Sequence, residues 1–186
     1  MATRFAALLL ALGLPLPLLA AEVAGVRFED KATVGGTELA LSGAGLREKF
    51  IFDVYAIALY VKDPKADRVT QPGAKRIAIR MLRNVDADTF SKALVEGMQP
   101  NLDEATMKAL ELRIAELTAI MAQLKEAKKG MAITLDWLPA AGTQMTVDGR
   151  PAGAPIAGED FYQALLRIWL GEHPVQGDLK KALLGG

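Results

Sequence analysis

The sequence predicts an α+β domain in which helices cover one side of an antiparallel sheet. The hydrophobic pattern first has the period of strands, then of helices, then of a hairpin, and finally of helices again. Strands and helices grouped in this way do not match the regular alternation that builds a parallel sheet. In addition, one long strand-like segment is apolar at both parities, which indicates a strand covered on both faces.

The first residues are set aside because they have the pattern of a secretory signal peptide. Arg4 is followed by an apolar stretch from Phe5 to about Leu19 and then by small residues. We expect cleavage after Ala21, so that residues 1–21 are removed and residues 22–186 form a single domain.

A membrane anchor is the alternative interpretation of this segment. It is disfavoured because Pro15 and Pro17 interrupt a short run, whereas a spanning helix needs about 20 apolar residues. Export of a chain without cysteine is typical of a bacterial periplasmic protein, and we expect no membrane span after cleavage.

The composition narrows the functional classes. The chain has 22 Lys+Arg and 22 Asp+Glu, so charge gives no reason to expect nucleic acid as a partner. The absence of cysteine excludes disulfides and thiolate metal sites. His173 is the single histidine, so a Ser-His-Asp triad would depend on that residue alone.

The N-terminal half is predicted to contain strands. Val26–Val34 and Thr37–Leu46 are separated by the turn residues Gly35-Gly36, and Phe50–Val61 is rich in β-branched and aromatic residues. In the segment Phe50–Val61, alternate residues would lie on opposite faces of the strand. One face would hold Phe52, Val54, Ala56 and Ala58, and the other would hold Ile51, Tyr55, Ile57 and Leu59. Lys75–Leu82 is a further strand.

The next segments have a helical period. Residues 84–98 begin with Asp86 or Asp88 as N-cap, and residues 103–130 form the clearest helix, capped by Asp103 and closed by Gly130. The apolar stripe of the second helix is expected to pack on the sheet. It consists of Met107, Leu110, Ile114, Leu117, Met121 and Leu124.

The C-terminal part returns to strands and ends in helices. Residues 131–137 and 143–153 are predicted strands, the second containing the hairpin signal Asp148-Gly149. Residues 159–171 place Phe161, Leu165, Ile168 and Trp169 on one helical face, and Asp178–Leu184 is a last short helix.

Three segments, taken in order, carry a resemblance to a known family. They read "GAGLREKFIFDVYAIALYVKD", "RIAIRMLRNVDADTFSKALVEGM" and "LLRIWLGEHPV…LKKALLG". The chain resembles the bacterial branch of the chalcone isomerase family from about Val26 to Leu184. The resemblance implies an open-faced β-sandwich, a large antiparallel sheet under a helical layer, with a ligand between the two.

The resemblance also implies five site positions. The plant enzymes close a ring by phenolate attack on an enone, using an arginine, a threonine, a tyrosine, an asparagine and a late hydroxyl residue. Carried over by motif, the arginine is kept as Arg47. The other four positions are Tyr55, Phe90, Gly97 and Ile168.

Because four of the five positions differ from the plant enzymes, we do not expect this protein to catalyse the ring closure. Losing one preorganised donor costs about 3–4 kcal/mol of transition-state stabilisation, and Phe90, Gly97 and Ile168 each lack the polar group of the enzymes. Arg47 with Tyr55 instead resembles the fatty-acid-binding members, in which these side chains hold a carboxylate. We therefore expect a periplasmic protein that binds a small apolar acid.

This expectation sets a geometric condition. On one straight strand, Arg47 and Tyr55 would lie about 27 Å apart, beyond any shared ligand. The chain must therefore reverse between Leu46 and Phe50. If it does not, the alternative is that Arg47 forms a surface ion pair with Asp53 or Glu48 and has no further role.

Three other functions stay open from the sequence, and the third is a purely structural or interaction role, for which the amphipathic surfaces are the evidence. Haem is the first, with a propionate on Arg47 and an axial ligand from His173, Tyr55 or Tyr60. An isomerase or intramolecular lyase is the second, with Tyr55 or Tyr162 as general acid. In that second alternative, Asp53 would orient the Tyr55 hydroxyl. Trp137 and Trp169 are expected in the core or the pocket wall.

Overall fold

The computed structural model describes residues 21–186, so the predicted signal peptide lies outside the described residues except for Ala21. The strands are β1 Ala21–Val23, β2 Val26–Phe28, β3 Lys31–Val34, β4 Thr37–Lys49, β5 Phe52–Val61, β6 Lys75–Met81, β7 Val85–Asp86, β8 Glu126–Ala127, β9 Ala132–Leu138, β10 Gly142–Val147 and β11 Arg150–Ile156. The helices are α1 Ala87–Met98, α2 Glu104–Ala122, α3 Glu159–Leu170 and α4 Gly177–Leu183.

One large antiparallel sheet organises the fold. Its seven strands follow the order β11-β10-β9-β6-β5-β4-β3, and every neighbouring pair is antiparallel. Two small antiparallel pairs, β1-β2 and β7-β8, lie beside it. The predicted α+β class, a large antiparallel sheet with a helical layer, is confirmed.

Both faces of the central strand β5 are covered, as its two apolar parities predict. Tyr55, Ile57 and Leu59 belong to the main core, which the sheet shares with α1, α2 and α3. Ala56 and Ala58 belong to a smaller core on the opposite face, together with residues of β2, β3 and β4. The hairpin of β4 and β5, which carries Arg47, is therefore packed against a core on each face of β5.

The parity prediction is wrong at the start of β5. Arg47 pairs with Tyr55, but Glu48 pairs with Asp53, so the register shifts and Val54 has no partner of its own. An extra residue of this kind turns the strand locally. As a result Phe52 and Val54 face the same cavity as Tyr55, not the face of Ala56.

Two boundaries and the packing of one helix also differ from the sequence prediction. The segment Val26–Val34 is two strands, β2 and β3, with Glu29 and Asp30 between them. The second helix ends at Ala122 and not at Gly130, because Lys125 takes a left-handed backbone (φ 60°) and the chain then enters β8. Helix α2 packs on α1 and β11 with Leu110, Leu117 and Met121 buried, so only part of its stripe meets the sheet.

The predicted N-caps and the hairpin turn are confirmed. Asp86 accepts hydrogen bonds from the backbone N–H groups of Asp88 and Thr89, and Asp103 caps α2 through Thr106. Asp148 and Gly149 both have positive φ (48° and 78°), as the predicted type I′ hairpin requires.

The glycines of β4 explain how α4 reaches the sheet. A Cβ on Gly43 would overlap the carbonyl oxygen of Ala182, and one on Gly45 would lie 2.7 Å from Leu179 Cδ1. Their absence of side chains allows α4 to lie directly on the strand that carries Arg47.

Candidate ligand-binding site

A cavity of about 350 Å³ lies between the β4-β5 hairpin and helices α1 and α3. Its inner part is lined by the buried side chains of Tyr55, Phe90, Leu94 and Ile168. Its outer part is lined by exposed residues, which define the mouth. They are Lys49, Phe50, Phe52, Arg83, Asn84, Asp86, Thr89 and Ala93. The inner part is therefore apolar apart from the phenol of Tyr55, whereas the mouth contains apolar, polar and charged side chains.

Arg47 and Tyr55 lie opposite each other on adjacent strands. The chain reverses at Phe50 and Ile51, and Arg47 is the direct cross-strand partner of Tyr55. Opposite residues of an antiparallel pair have Cβ atoms about 4.5–5.5 Å apart and project from the same face. The geometric condition set by the sequence is met, and both side chains line the cavity.

The positive charge of Arg47 is not neutralised by an acid in the described part of the chain. Its guanidinium donates to the backbone oxygen of Glu48 and, at 3.3 Å, to the side-chain oxygen of Gln176. The ion pairs found within residues 21–186 do not include it. Glu48 is instead bonded to Gln176 Nε2 at 3.4 Å and lies opposite Asp53. The surface ion-pair alternative is not what the structure contains.

The Tyr55 hydroxyl is held by α3. The indole nitrogen of Trp169 donates to it at 3.0 Å, and both side chains are buried. Burial raises the pKa of Tyr55 above 10.0, although the Trp169 hydrogen bond and the nearby Arg47 charge oppose this shift. The phenol therefore keeps its proton at neutral pH. Its oxygen accepts the Trp169 hydrogen bond and lies close to the Arg47 guanidinium, and among residues 21–186 the hydroxyl has no acceptor for that proton.

Helix α1 supplies the opposite wall. Phe90 lies against Tyr55 with ring centroids 6.1 Å apart, and Ile168 of α3 continues the apolar surface. Gly97, the fifth expected site residue, lies outside the cavity lining. A Cβ there would be 2.8 Å from Ile168 Cγ2 and 3.0 Å from Val175 Cγ1, so its place is a close helix contact.

Arg83 and the hairpin tip were missed by sequence reasoning. The Arg83 guanidinium lies over the Phe52 ring at 4.2 Å, and both residues line the mouth. Their proximity could have been anticipated, because Arg83 lies two residues after the end of β6, and that end meets the beginning of β5 in the antiparallel sheet. Lys49 also lines the cavity, so that the lining holds three cations, Arg47, Lys49 and Arg83.

Several residues of the alternative functions lie elsewhere. His173 is exposed, its backbone is bonded to Asn101, and it does not line the cavity. The Tyr162 hydroxyl donates to the backbone oxygen of Leu135 at 2.9 Å in the core. Asp53 is exposed, and Trp169, not Asp53, orients the Tyr55 hydroxyl. Trp137 and Trp169 are buried in the core, as expected.

The described residues contain neither a membrane-spanning helix nor a cluster of metal-ligating side chains. Between residues 21 and 186, no helix combines the length and the apolar composition needed to cross a bilayer. The same part of the chain contains no group of three or more His, Asp or Glu side chains arranged to hold a metal ion.

Comparison with known proteins supports the architecture. No curated protein matches the chain significantly. Among solved structures, the crystal structure of a fatty-acid binding protein from Arabidopsis thaliana matches with a TM-score of 0.67 and 16% identity, covering 86% of this chain and 92% of that protein. At this identity the match shows the fold. The sequence profile of the chalcone isomerase-like family matches residues 20–185, so the chain belongs to that family.

Proposed function

We propose that this protein binds a fatty acid or a similar long apolar acid, with the carboxylate on Arg47 and Tyr55 and the acyl chain in the cavity. The observation that carries the proposal is the pairing of an acid-free guanidinium with a phenol whose proton has no acceptor in residues 21–186. Both groups are donors, and both line one apolar cavity.

The chemistry of these two groups fits a carboxylate. A planar guanidinium can donate two parallel hydrogen bonds to the two oxygens of a carboxylate. Tyr55 adds a neutral donor, and its raised pKa keeps it in the donating form. A ligand carboxylate would thus replace the weak amide contact that Arg47 now makes with Gln176.

The rest of the cavity fits an acyl chain. Phe90, Leu94 and Ile168 offer apolar surface, and burial of each methylene group contributes about 0.8 kcal/mol. The volume of about 350 Å³ is at the lower end of the usual range for small-molecule sites, about 300–1,000 Å³. The structural neighbour from Arabidopsis thaliana is named a fatty-acid binding protein, which supports the same ligand class here.

We also propose that the ring-closing reaction of the plant enzymes is absent. Phe90 and Ile168 line the cavity without a hydrogen-bonding group, and Gly97 lies outside it. Export to the periplasm is proposed on the N-terminal sequence pattern alone.

The test is extraction of the purified protein, with native mass spectrometry, beside Arg47→Ala and a matched control, Arg27→Ala. Arg27 is exposed on β2, outside the cavity lining. We expect a co-purifying fatty acid in the wild type and in the control, and its loss in Arg47→Ala. A haem in the extract would support haem as the ligand in place of a fatty acid. A ligand that Arg47→Ala retains would contradict the proposed role of the arginine.

A further inference from the structure

The tip of the β4-β5 hairpin exposes two large apolar side chains. Phe50 is 90% exposed and Ile51 is 88% exposed, and the neighbouring Phe52 is 49% exposed. Elsewhere in residues 21–186, Leu112 on α2 is the large apolar residue exposed to a similar degree, at 79%. Single exposed apolar residues are ordinary, but three in a row at a loop tip form a patch.

The turn itself does not need these side chains. Phe50 and Ile51 form a two-residue loop, and Phe50 has a left-handed backbone with φ 59°. Glycine or asparagine adopts this backbone easily, whereas a bulky residue costs about 1–2 kcal/mol. Phe50 therefore adds strain and gains no burial within the chain. Its position is better explained by a partner than by folding.

The tip is part of the cavity mouth. Phe50 and Phe52 line the cavity together with Arg47 and Tyr55 further in. A ligand that reaches Arg47 through the mouth must pass the tip. Whatever the tip binds is therefore in contact with the entrance of the site.

Among the charged residues that line the cavity beside the tip, Arg47, Lys49 and Arg83 are cations and Asp86 is an acid. Lys49 directly precedes the tip, and the Arg83 guanidinium covers the Phe52 ring at 4.2 Å. The backbone of Lys129 lies next to the residue that follows Arg83, since its N–H donates to Asn84 Oδ1 at 2.8 Å, and Lys128 and Lys129 are both exposed. Three exposed acids also lie nearby: Glu48, which accepts a hydrogen bond from Gln176, Asp86, which caps α1, and Asp53.

We propose that the hairpin tip docks on the surface of a bilayer that contains anionic lipids. Phe50 and Ile51 would enter the boundary between headgroups and acyl chains, and Lys49, Arg83, Lys128 and Lys129 would face the anionic headgroups. The cavity mouth would then lie against the membrane. Docking is independent of the ligand's identity, but the exchange of an acyl ligand with the membrane rests on the proposed function.

The absence of cysteine permits a local test. Ile51→Cys and the matched control Leu112→Cys are each labelled with an environment-sensitive fluorophore and mixed with phosphatidylcholine vesicles with or without phosphatidylglycerol. We expect a blue shift and brighter emission at position 51 with phosphatidylglycerol and little change at position 112. Equal responses at both positions, or none at position 51, would overturn the proposal. Both variants keep the same N-terminal segment, so lipid binding by that segment is common to them.

A second measurement uses loss of the apolar side chains. Phe50→Ser/Ile51→Ser should bind the phosphatidylglycerol vesicles at least about tenfold more weakly than Leu112→Ser in flotation assays. These substitutions lie at exposed positions, so the fold is expected to survive, which circular dichroism checks. Unchanged flotation of the double variant would contradict docking by the tip.

The same label separates a membrane from a second copy of the chain. If the tip were a dimer contact, the label at position 51 would respond to protein concentration without vesicles, and the molecular mass would double in sedimentation. That result would overturn membrane docking. Fatty-acid binding is measured without vesicles, so failure of docking and failure of the proposed function are distinguishable.

Discussion

The indole nitrogen of Trp169 donates a hydrogen bond to the hydroxyl oxygen of Tyr55 at 3.0 Å. The contact joins α3 to β5 and holds the phenol against the inner end of the cavity. Since the Tyr55 oxygen acts as acceptor here, its proton is left for a ligand. One hydrogen bond therefore links the packing of the helical layer to the chemistry of the site.

Tyr55→Phe should reduce both stability and ligand affinity. The buried Trp169 N–H loses its acceptor, which costs about 1–3 kcal/mol of unfolding free energy. Urea unfolding of Tyr55→Phe, Trp169→Phe and the double variant measures this contact. We expect the double variant to be less destabilised than the sum of the single variants. Strict additivity of the two effects would contradict an energetic link between the residues.

Ala93→Leu should shorten the acyl chain that the protein prefers. Ala93 lines the cavity from the exposed side of α1, so a larger side chain takes space without removing Arg47 or Tyr55. Affinities for a series of fatty acids of increasing length test this, with Ala115→Leu, exposed on α2, as control. The same length preference in Ala93→Leu and the control would contradict an acyl chain that passes Ala93 in the bound state.

The sequence predicted the fold class because most strands and helices have a clear hydrophobic period. The predicted strand faces were wrong at the start of β5. One extra residue at Val54 shifts the register there, so that Phe52 faces the cavity. Nothing in a periodic pattern marks such a register shift. The second helix was predicted to be too long. The helix ends at Ala122, and Lys125 then has a left-handed backbone, a conformation that is uncommon for lysine and that the sequence pattern does not indicate.

Some of the residues that line the candidate site were predicted. Arg47 and Tyr55 came from the resemblance, and the hairpin then brought them together as required. Arg83 was missed because it reaches the mouth through the pairing of β6 with β5, which is a tertiary relation. Gly97 has a packing role that a position-by-position comparison with the plant enzymes does not reveal.

The protein should lose stability in alkaline solution. Burial raises the pKa of all three tyrosines above 10.0, that of Tyr60 to about 12. Their contribution is fully present below pH 10 and declines as pH rises toward the folded-state pKa, because the unfolded chain ionises first. Each tyrosine adds a slope of about 1.4 kcal/mol per pH unit in that window. Urea unfolding at increasing pH should show a shallower decline for Tyr60→Phe, and an identical decline would refute this assignment.

Lys75→Met should stabilise the protein at neutral pH. Lys75 is 0% exposed, its ammonium has no hydrogen-bond partner among the described residues, and Glu159 lies 3.7 Å away. Replacing a buried charge of this kind with an apolar side chain of similar shape is expected to add about 1–2 kcal/mol.

The pH dependence of that gain provides its control. Burial lowers the pKa of Lys75, so its destabilising effect is present below the folded-state pKa and disappears as pH rises toward the ordinary value of 10.5. The stability difference between Lys75→Met and the wild type should therefore shrink in alkaline solution. A variant less stable than the wild type at neutral pH would indicate that the Glu159 contact outweighs the cost of burying the charge.

The most direct test of the central claim compares a long-chain fatty acid with the fatty alcohol of the same length. Calorimetric titration of the wild type should show the acid binding about ten- to a hundredfold more tightly, because the carboxylate meets Arg47. In Arg47→Ala this preference should vanish while the alcohol binds as before, and Arg27→Ala should behave like the wild type. Equal affinity for acid and alcohol in the wild type, or an unchanged preference in Arg47→Ala, would contradict a carboxylate site at Arg47.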